Sequence, residues 1–373
     1  MCGIVGLAFT DRARPVNPAF VRRMCDVIRH RGPDDEGVHI GDGVGLGARR
    51  LSIIDLAGGH QPMTSDDGAH SIAFNGEIYN HRELRRDLIR GGHAMHTTCD
   101  TETVLRACIE FGVAAPTYLR GMFAFAKWDN RRGELLLARD RFGMKPLYYG
   151  VRPWGIVFAS ELKVFTACAL TSRRLDVDAL DAYLELGYVP APMTPFADVC
   201  KLEPGHVLRW RDGKLDITRY WDLPHPDDTR VADPDAVRAQ LDESVAAHLM
   251  SDVPVAAFLS GGIDSSSVVA SAALQQGAPR AFVAQYHGTG AVRADETHLA
   301  RALAERYGAP LTVVDIRPDI AGTFERIVEA LDEPHADDSA IPSWTLAESV
   351  GREYKVALTG LGGDELFAGY RRH

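Results

Sequence analysis

Cysteine at position 2, directly behind Met1, is small enough to let an aminopeptidase remove the methionine. What remains is a thiol and a free α-amine on one residue, and such an amine can act as base for its own side chain without a histidine. A thiol also needs little activation, because a few per cent is already thiolate at neutral pH. Taken alone, Met1-Cys2-Gly3-Ile4-Val5-Gly6 reads first as the start of an edge strand with a small buried residue. Further along, Arg49 and Arg50 stand beside an apolar run, where at least one should pair with a carboxylate unless the strand is a solvated edge. Asn75-Gly76 ends another apolar run at a predicted strand-to-helix corner. An amide side chain and a glycine N–H there could both donate to one oxygen, the chemistry of an oxyanion hole. Asp100 suits a helix N-cap, or a carboxylate recognising a substrate ammonium.

A second constellation is Ser260-Gly261-Gly262-Ile263-Asp264-Ser265, between an apolar strand and a helix whose first turn is full of hydroxyls. Open backbone N–H groups at a helix start attract anions. The glycines let phosphate oxygens approach, and the serines add donors. No GxxxxGK[ST] lysine is present, so this is not a Walker A loop. Asp264 beside phosphates suits Mg²⁺, which takes one or two carboxylates plus phosphate oxygens. Thr359-Gly360-Leu361-Gly362-Gly363-Asp364-Glu365 is a second glycine turn, ending in an acidic pair.

These residues need elements to hold them. A strand is predicted over 3–9, and a helix capped by Asn17 with Pro18 at its first position and Phe20, Met24, Val27 and Ile28 on one face. A turn at Arg31-Gly32-Pro33-Asp34-Asp35 follows, then strands over 45–54 and 71–74. Helices come next, one capped by Asn80 and closed by Gly91-Gly92, another after Asp100 closed by Gly112. Strands over 122–128, 134–138, 147–150 and 157–160 surround a charged corner at Arg139-Asp140-Arg141-Phe142-Gly143. Such a series predicts two stacked sheets flanked by helices. From residue 253 the pattern alternates: strands over 281–286 and 311–316 and a strand from 356, with helices over 298–307 and 320–331 between them. Alternation of this kind predicts a parallel sheet.

The 373 residues suit two domains, with 46% hydrophobic and 25% charged residues as in globular proteins. A net charge of −10 argues against a nucleic-acid partner. The six cysteines show no CxxC spacing, which makes zinc and disulfide frameworks poor readings and favours a reducing cytoplasm. The short apolar run after Cys2 lacks a basic region before it, and no stretch reaches the ~20 apolar residues of a membrane span.

Five motifs stand in order: Met1-Cys2-Gly3-Ile4, His30-Arg31-Gly32-Pro33-Asp34, Arg50-Leu51-Ser52-Ile53, Phe74-Asn75-Gly76-Glu77-Ile78-Tyr79-Asn80 and Asp100-Thr101-Glu102. Together they resemble the glutaminase domain of the class II glutamine amidotransferases, whose fold is the N-terminal-nucleophile αββα sandwich. The resemblance implies Cys2 as nucleophile, its own amine as general base, and Asn75 with Gly76 as oxyanion hole. It implies Arg50 on the glutamine α-carboxylate, Glu77 and Asp100 on its α-ammonium, and Leu51 and Ile53 lining the same site. A zwitterion held by one cation and one or two anions fits the charges present.

The Ser260–Ser265 loop resembles the pyrophosphate loop of the N-type ATP pyrophosphatases, an α/β parallel-sheet fold of the adenine nucleotide alpha hydrolase kind. That implies ATP contacts at Phe258, Leu259, Ser260, Gly261, Gly262, Asp264, Ser265, Ala284, Thr359 and Gly360, with Mg²⁺ on Asp264 and Asp364. The two parts together resemble the glutamine-hydrolysing asparagine synthetase family over almost the whole chain. The implied layout is a glutaminase domain over 2–205, a connector over 206–232 and an ATP domain over 233–373. The implied partners are glutamine, ATP and a carboxylate acceptor such as aspartate, in a cytoplasmic protein that could form a homodimer. The chemistry is coherent: ATP turns a carboxylate into an acyl-adenylate, and ammonia made inside the protein reaches it unprotonated.

Two stretches depart from that family. Members using aspartate often carry Thr-x-Arg ahead of a proline, where this chain has Ala336-Asp337-Asp338-Ser339-Ala340-Ile341-Pro342. Members often have Gly-Glu-Gly where Gly360-Leu361-Gly362 stands. Both bear on the acceptor, leaving open a sugar or peptide carboxylate, a glutaminase-only activity or a non-catalytic relic. Members also continue well beyond the position of His373, so a fragment with an incomplete ATP domain and uncovered sheet edges or helices is expected.

Overall fold

The computed structural model describes residues 1–224, 233–286, 295–316 and 320–370. Two compact units divide the chain: Met1–His225 with Leu331–Ala336, and Pro226–Ala330 with Asp337–His373.

The first unit is an αββα sandwich of two six-stranded antiparallel sheets. One runs Cys200–Lys201, Tyr148–Arg152, Gly155–Ala159, Gly3–Phe9, Val44–Arg50, Asp35–Gly41; the other Lys214–Arg219, His206–Arg211, Glu134–Arg139, Gly121–Asp129, His70–Ile78, Met63–Thr64. Between them lies a core in which Ala8, Ala48, Ala73, Ala124 and Ala126 leave room for Trp128, Trp210 and Phe158. Small residues opposite large ones let two twisted sheets interdigitate. Each fully buried Leu, Ile or Phe in such a layer contributes roughly 1.5–3 kcal/mol.

The helix Pro18–Val27 covers the outer face of the first sheet through Val21, Met24 and Cys25, with Ile28 just beyond it. That face is rotated from the expected one, because Phe20 and Val27 are only partly buried. Asn17 caps it as expected, accepting from Ala19 N–H at 2.9 Å. Helices His81–Arg90 and Asp100–Phe111 cover the second sheet through Leu84, Leu88, Val104, Leu105 and Cys108.

Four expectations change. The strand expected over 45–54 ends at Arg50, and residues 51–54 form a loop. Asn75 and Gly76 lie inside the strand His70–Ile78, paired with Ala124 and Phe123, rather than at a strand-to-helix corner. Pairing with a full neighbouring strand overrides the turn preference of Asn-Gly. Asn80 does stand at the helix start, but its side chain bonds Tyr118 and Arg120 instead of capping. The stretch 206–232, expected as a connector, opens with two strands of the second sheet, and 225–232 lie outside the described residues.

The second unit is a parallel sheet in the order Leu311–Ile316, Arg280–Tyr286, Val255–Phe258, Val356–Leu358. The chain steps outward twice from Val255–Phe258, then returns to its other side, so a topological switch falls beside this strand. Ligands of open α/β sheets bind beyond the strand ends at such a point. Ala257, Val269, Ala281, Val283 and Leu358 form its core. No helix among the described residues is long and apolar enough to cross a membrane.

Candidate active sites

Cys2 precedes the strand Gly3–Phe9, which is wholly buried. Ser160, also fully buried, clamps the strand's start: its Oγ accepts from Ile4 N–H at 2.9 Å, and its own N–H donates to Ile4 O at 2.8 Å. The Cys2 carbonyl accepts from Arg31 Nε at 2.9 Å, and Leu51 N–H points at the thiol, 3.4 Å from Sγ. Backbone, carbonyl and sulfur are thus each fixed by a different element. Burial pushes the thiol pKa up, and the Leu51 N–H and the terminal ammonium pull it back; Asp100 raises it and Arg50 lowers it. The terminal amine here belongs to Met1. Burial lowers it to about 6; the Cys2 thiolate opposes this, while Arg31 and Lys145 add to it.

Of the paired arginines, Arg49 meets carboxylates, Asp26 and Glu36 at 2.6 Å each. Arg50 meets none at bonding distance among the described residues. Its guanidinium donates to the carbonyls of Ile54 (2.9 Å), Asp55 (2.6 Å) and Leu56 (3.3 Å), which hold it under its own loop. That loop carries half-buried Leu51 and Ile53. It is stapled at both ends, by Ser52 N–H to Asp34 at 2.8 Å and Thr98 N–H to Asp55 at 2.8 Å.

Asp100 is not the cap of its helix, a place Cys99 takes, but the first helical residue. Its Oδ2 accepts from Ile78 N–H across the gap to the second sheet, at 3.1 Å. Burial pushes it up to about 6 despite that bond, and burial with the Asp100 charge nearby pushes Glu77 up to about 7, opposed by Lys145. Lys145 and Arg50 only partly offset these charges against burial, and a substrate ammonium would complete the balance. Asn75, 1% exposed, has no partner for either Oδ1 or Nδ2 among the described residues. Buried amides nearly always find partners, so an orphaned one is a binding group in waiting. Gly76 is glycine for packing: a Cβ would come within 2.3 Å of Met122 O.

Sequence reasoning missed Lys145, Ser160 and Glu161. Lys145 is 6% exposed; burial and then Arg31 pull its pKa down, against Asp140, Glu77 and Cys2. It is delivered by the charged corner at 139–143, where buried Asp140 accepts from the N–H groups of Phe123, Phe142, Met144 and Lys145. The glycine-ended acidic turn was the available signal; the burial of the lysine after it was not.

In the second unit the two glycine loops leave adjacent strands at the switch point. Ser260 Oγ and Ser265 Oγ bond at 2.9 Å across the turn, Ser265 Oγ accepts from Ser260 N–H at 3.1 Å, and the helix Ile263–Gln276 begins at the open turn. Gly360 lies so close that a Cβ would sit 2.6 Å from Ser265 N. Phe258 ends the strand Val255–Phe258 with Leu259 just beyond it, Ala284 stands half-buried on the neighbouring strand, and exposed Thr359 accepts from Leu361 N–H at 3.2 Å. Burial, then the charges of Asp364 and Glu365, push the Asp264 pKa up. No group of three or more His, Cys, Asp or Glu among the described residues could hold a metal alone. Two facing carboxylates and an open anion loop fit Mg²⁺ arriving with a nucleotide, since that ion completes its shell with phosphate oxygens and water.

Comparison with known proteins covers both units. A glutamine amidotransferase domain family matches residues 1–221, and an asparagine synthase family matches residues 236–373. Asparagine synthetase [glutamine-hydrolyzing] 1 of Bacillus subtilis (strain 168) is 37% identical over 99% of this chain and 59% of its own length. A putative asparagine synthetase [glutamine-hydrolyzing] of Mycobacterium tuberculosis (strain ATCC 25618 / H37Rv) is 38% identical over 99% of this chain and 60% of its own. Putative asparagine synthetase [glutamine-hydrolyzing] 2 of Methanocaldococcus jannaschii is 32% identical over the full chain and 76% of its own length. The chain therefore spans about three fifths of the Bacillus and Mycobacterium relatives.

Proposed function

The chain belongs to the glutamine-hydrolysing asparagine synthetase family, and from that premise we propose that it amidates a carboxylate, aspartate giving asparagine, with glutamine nitrogen and ATP. The carrying observation is the convergence on Cys2, where a backbone N–H meets the thiol, Arg31 holds the carbonyl, and Arg50 and Asp100 act on the sulfur. With Met1 removed, the Cys2 amine would take the place of an amine that burial, Arg31 and Lys145 already favour in its neutral, basic form. The amine takes the thiol proton as sulfur attacks the glutamine amide carbon. Asn75 Nδ2 and Gly76 N–H donate to the oxyanion, and the protonated amine passes its proton to the leaving ammonia. Arg50, held by three loop carbonyls, receives the α-carboxylate, and Glu77 with Asp100 receives the α-ammonium. Water then releases glutamate from sulfur.

The Ser260–Ser265 and Thr359–Gly360 loops hold the ATP phosphates. The acceptor carboxylate attacks the α-phosphorus, pyrophosphate leaves, and ammonia displaces AMP from the acyl-adenylate. Asp264 and Asp364 would hold Mg²⁺, which offsets charge on the departing pyrophosphate. Free thiols throughout the chain suit a reducing cytoplasm.

Two features favour a second acceptor, another carboxylate in place of aspartate. Leu361, 81% exposed, fills the position between Gly360 and Gly362, and no arginine occurs in Ala336–Pro342. Pyrophosphate release measured with glutamine, ATP, Mg²⁺ and one acceptor at a time decides between them. Strong release with aspartate removes the second acceptor; release only with a different carboxylate removes aspartate. Glutamate formation indifferent to ATP and acceptors, with no pyrophosphate, would reduce the activity to glutamine hydrolysis. Intact mass shows whether the chain begins at Cys2, and a retained Met1 would refute the amine as base.

A further inference from the structure

Residues Leu331–Ala336 are reached only after the helix Ile320–Leu331, yet they pack as part of the first unit. Asp332 Oδ2 accepts from Lys163 N–H at 3.0 Å, and its Oδ1 lies 3.2 Å from Lys163 Nζ. The same Nζ is 3.3 Å from Glu161 Oε2. Glu161 Oε1 lies 2.9 Å from Arg31 Nη1 and 2.9 Å from His30 Nε2, and Arg31 Nε donates to Cys2 O. Four charges of alternating sign thus run unbroken from the nucleophile's carbonyl to Asp332. Beside them Glu333 accepts from Tyr148 OH and pairs with Lys201, both at 2.5 Å, and Ala336 N–H donates to Gly187 O at 2.9 Å.

We propose that Asp332 is a positioning residue for Cys2, acting through Lys163 and Glu161 on Arg31. The proposal rests on the reading of Cys2 as nucleophile. A plain end to the helix would also explain why the chain turns here. It does not explain the residue: Asp332 has φ +66°, a conformation that glycine adopts freely at helix ends and other residues adopt at a cost. A carboxylate kept there, 7% exposed and aimed at a lysine, is retained for that contact.

The physical coupling is orientation passed from each charge to the next. Glu161 is the one carboxylate in ion-pair reach of Arg31 among the described residues, and Lys163 divides itself between Glu161 and Asp332. Burial pushes Glu161 up, but the His30 and Arg31 bonds and the Lys163 charge hold it at about 2, so it is ionised at neutral pH. Without Asp332, Lys163 loses a carboxylate that fixes it, and Glu161 loses the ammonium that steadies it against Arg31. Arg31 then has no fixed anchor, and the Cys2 carbonyl moves with it. Misplacement of a reacting group by about 1 Å can cost on the order of 10²-fold in rate, and a fraction of that shift suffices here.

The test uses the full chain with Asp332→Gly, which suits the positive φ and deletes only the carboxylate, together with Asp332→Asn, Lys163→Met, Lys163→Arg and the double variant Asp332→Gly/Lys163→Met. Glutamine hydrolysis is separated into kcat and KM, the alkylation rate of Cys2 by iodoacetamide is followed, and melting temperature is recorded. The expected result is a kcat lower by roughly 10-fold in Asp332→Gly and in Lys163→Met, with KM little changed and Cys2 alkylation altered in parallel. The double variant should be no worse than Lys163→Met, because both act in one relay, and Lys163→Arg should restore most of the loss. Glutamine hydrolysis that survives Cys2→Ala overturns the nucleophile and this proposal with it. Hydrolysis that needs Cys2 but keeps its kcat in Asp332→Gly, or double-variant losses that multiply, overturns the relay alone.

Discussion

Asn75→Ala should weaken catalysis while sparing or raising stability, because one buried amide is retained for a ligand the free protein lacks. Its carboxamide is 1% exposed and neither polar atom has a partner among the described residues. An unsatisfied buried amide costs ~1–3 kcal/mol. Truncation removes that cost and leaves a cavity about the size of a carboxamide, which at ~24 cal/mol per Å³ costs roughly 1 kcal/mol. The balance runs from unchanged to about 2 kcal/mol more stable. For a unit of this size that means a melting temperature level or a few degrees higher. Loss of one oxyanion donor costs ~10²–10³ in kcat, about 2.7–4 kcal/mol of transition-state stabilisation. The assays are urea or thermal unfolding and glutamate formation at saturating glutamine, with Asn75→Asp as a same-size companion. A kcat within about 3-fold of the parent, or a loss of stability beyond about 3 kcal/mol, would refute the assignment: the amide would then be structural.

Glu77 and Asp100 have folded pKa values of about 7 and about 6, above their unfolded values near 4, so the folded state holds more protons between these limits. Their contribution to stability is therefore present at low pH and falls as pH rises through about 4 to 7, and Glu77→Gln should flatten that slope in melts between pH 5 and 7.5. Binding of an ammonium needs both ionised, so KM for glutamine should rise as pH drops from 7.5 to 5.5; a flat KM removes them from the site. Asp264→Asn relieves the charges of Asp364 and Glu365, so the nucleotide-free protein should melt no lower while Mg²⁺-dependent pyrophosphate release is lost. Gly360→Ala would place a Cβ 2.6 Å from backbone at Ser265 and force the loops apart, raising KM for ATP at least 10-fold with glutamine hydrolysis intact.

The groups legible in the sequence are those whose chemistry is local. The strand, glycine turn and hydroxyl-rich helix around Ser260 follow one another within a dozen residues, so pattern alone carried them. Arg50, Asp100 and Cys2 were legible as types, but their partners were not: a capping place predicted for Asp100 went to Cys99, and its carboxylate reaches Ile78 instead. Asn75-Gly76 was misplaced because turn preference is local, whereas the pairing with Ala124 and Phe123 that holds it in a strand is not. Lys145, Glu161, Lys163 and Asp332 could not be found at all, since a charge in a sequence shows neither its burial nor a partner 130 or 169 residues away.

The same distances bear on how the proposed nucleophile is held. Cys2 follows no rigid turn that could orient it; Arg31, Leu51 and, through Ile4, Ser160 do so, from separations of 29, 49 and 156 residues. Each contact comes from a different element: the turn after the first helix, the loop after a paired strand, and the end of the strand on the opposite side of Gly3–Phe9. A thiol pushed up by burial is a poor nucleophile until a base stands beside it, and with Met1 removed as proposed these contacts would fix base and thiol on one residue.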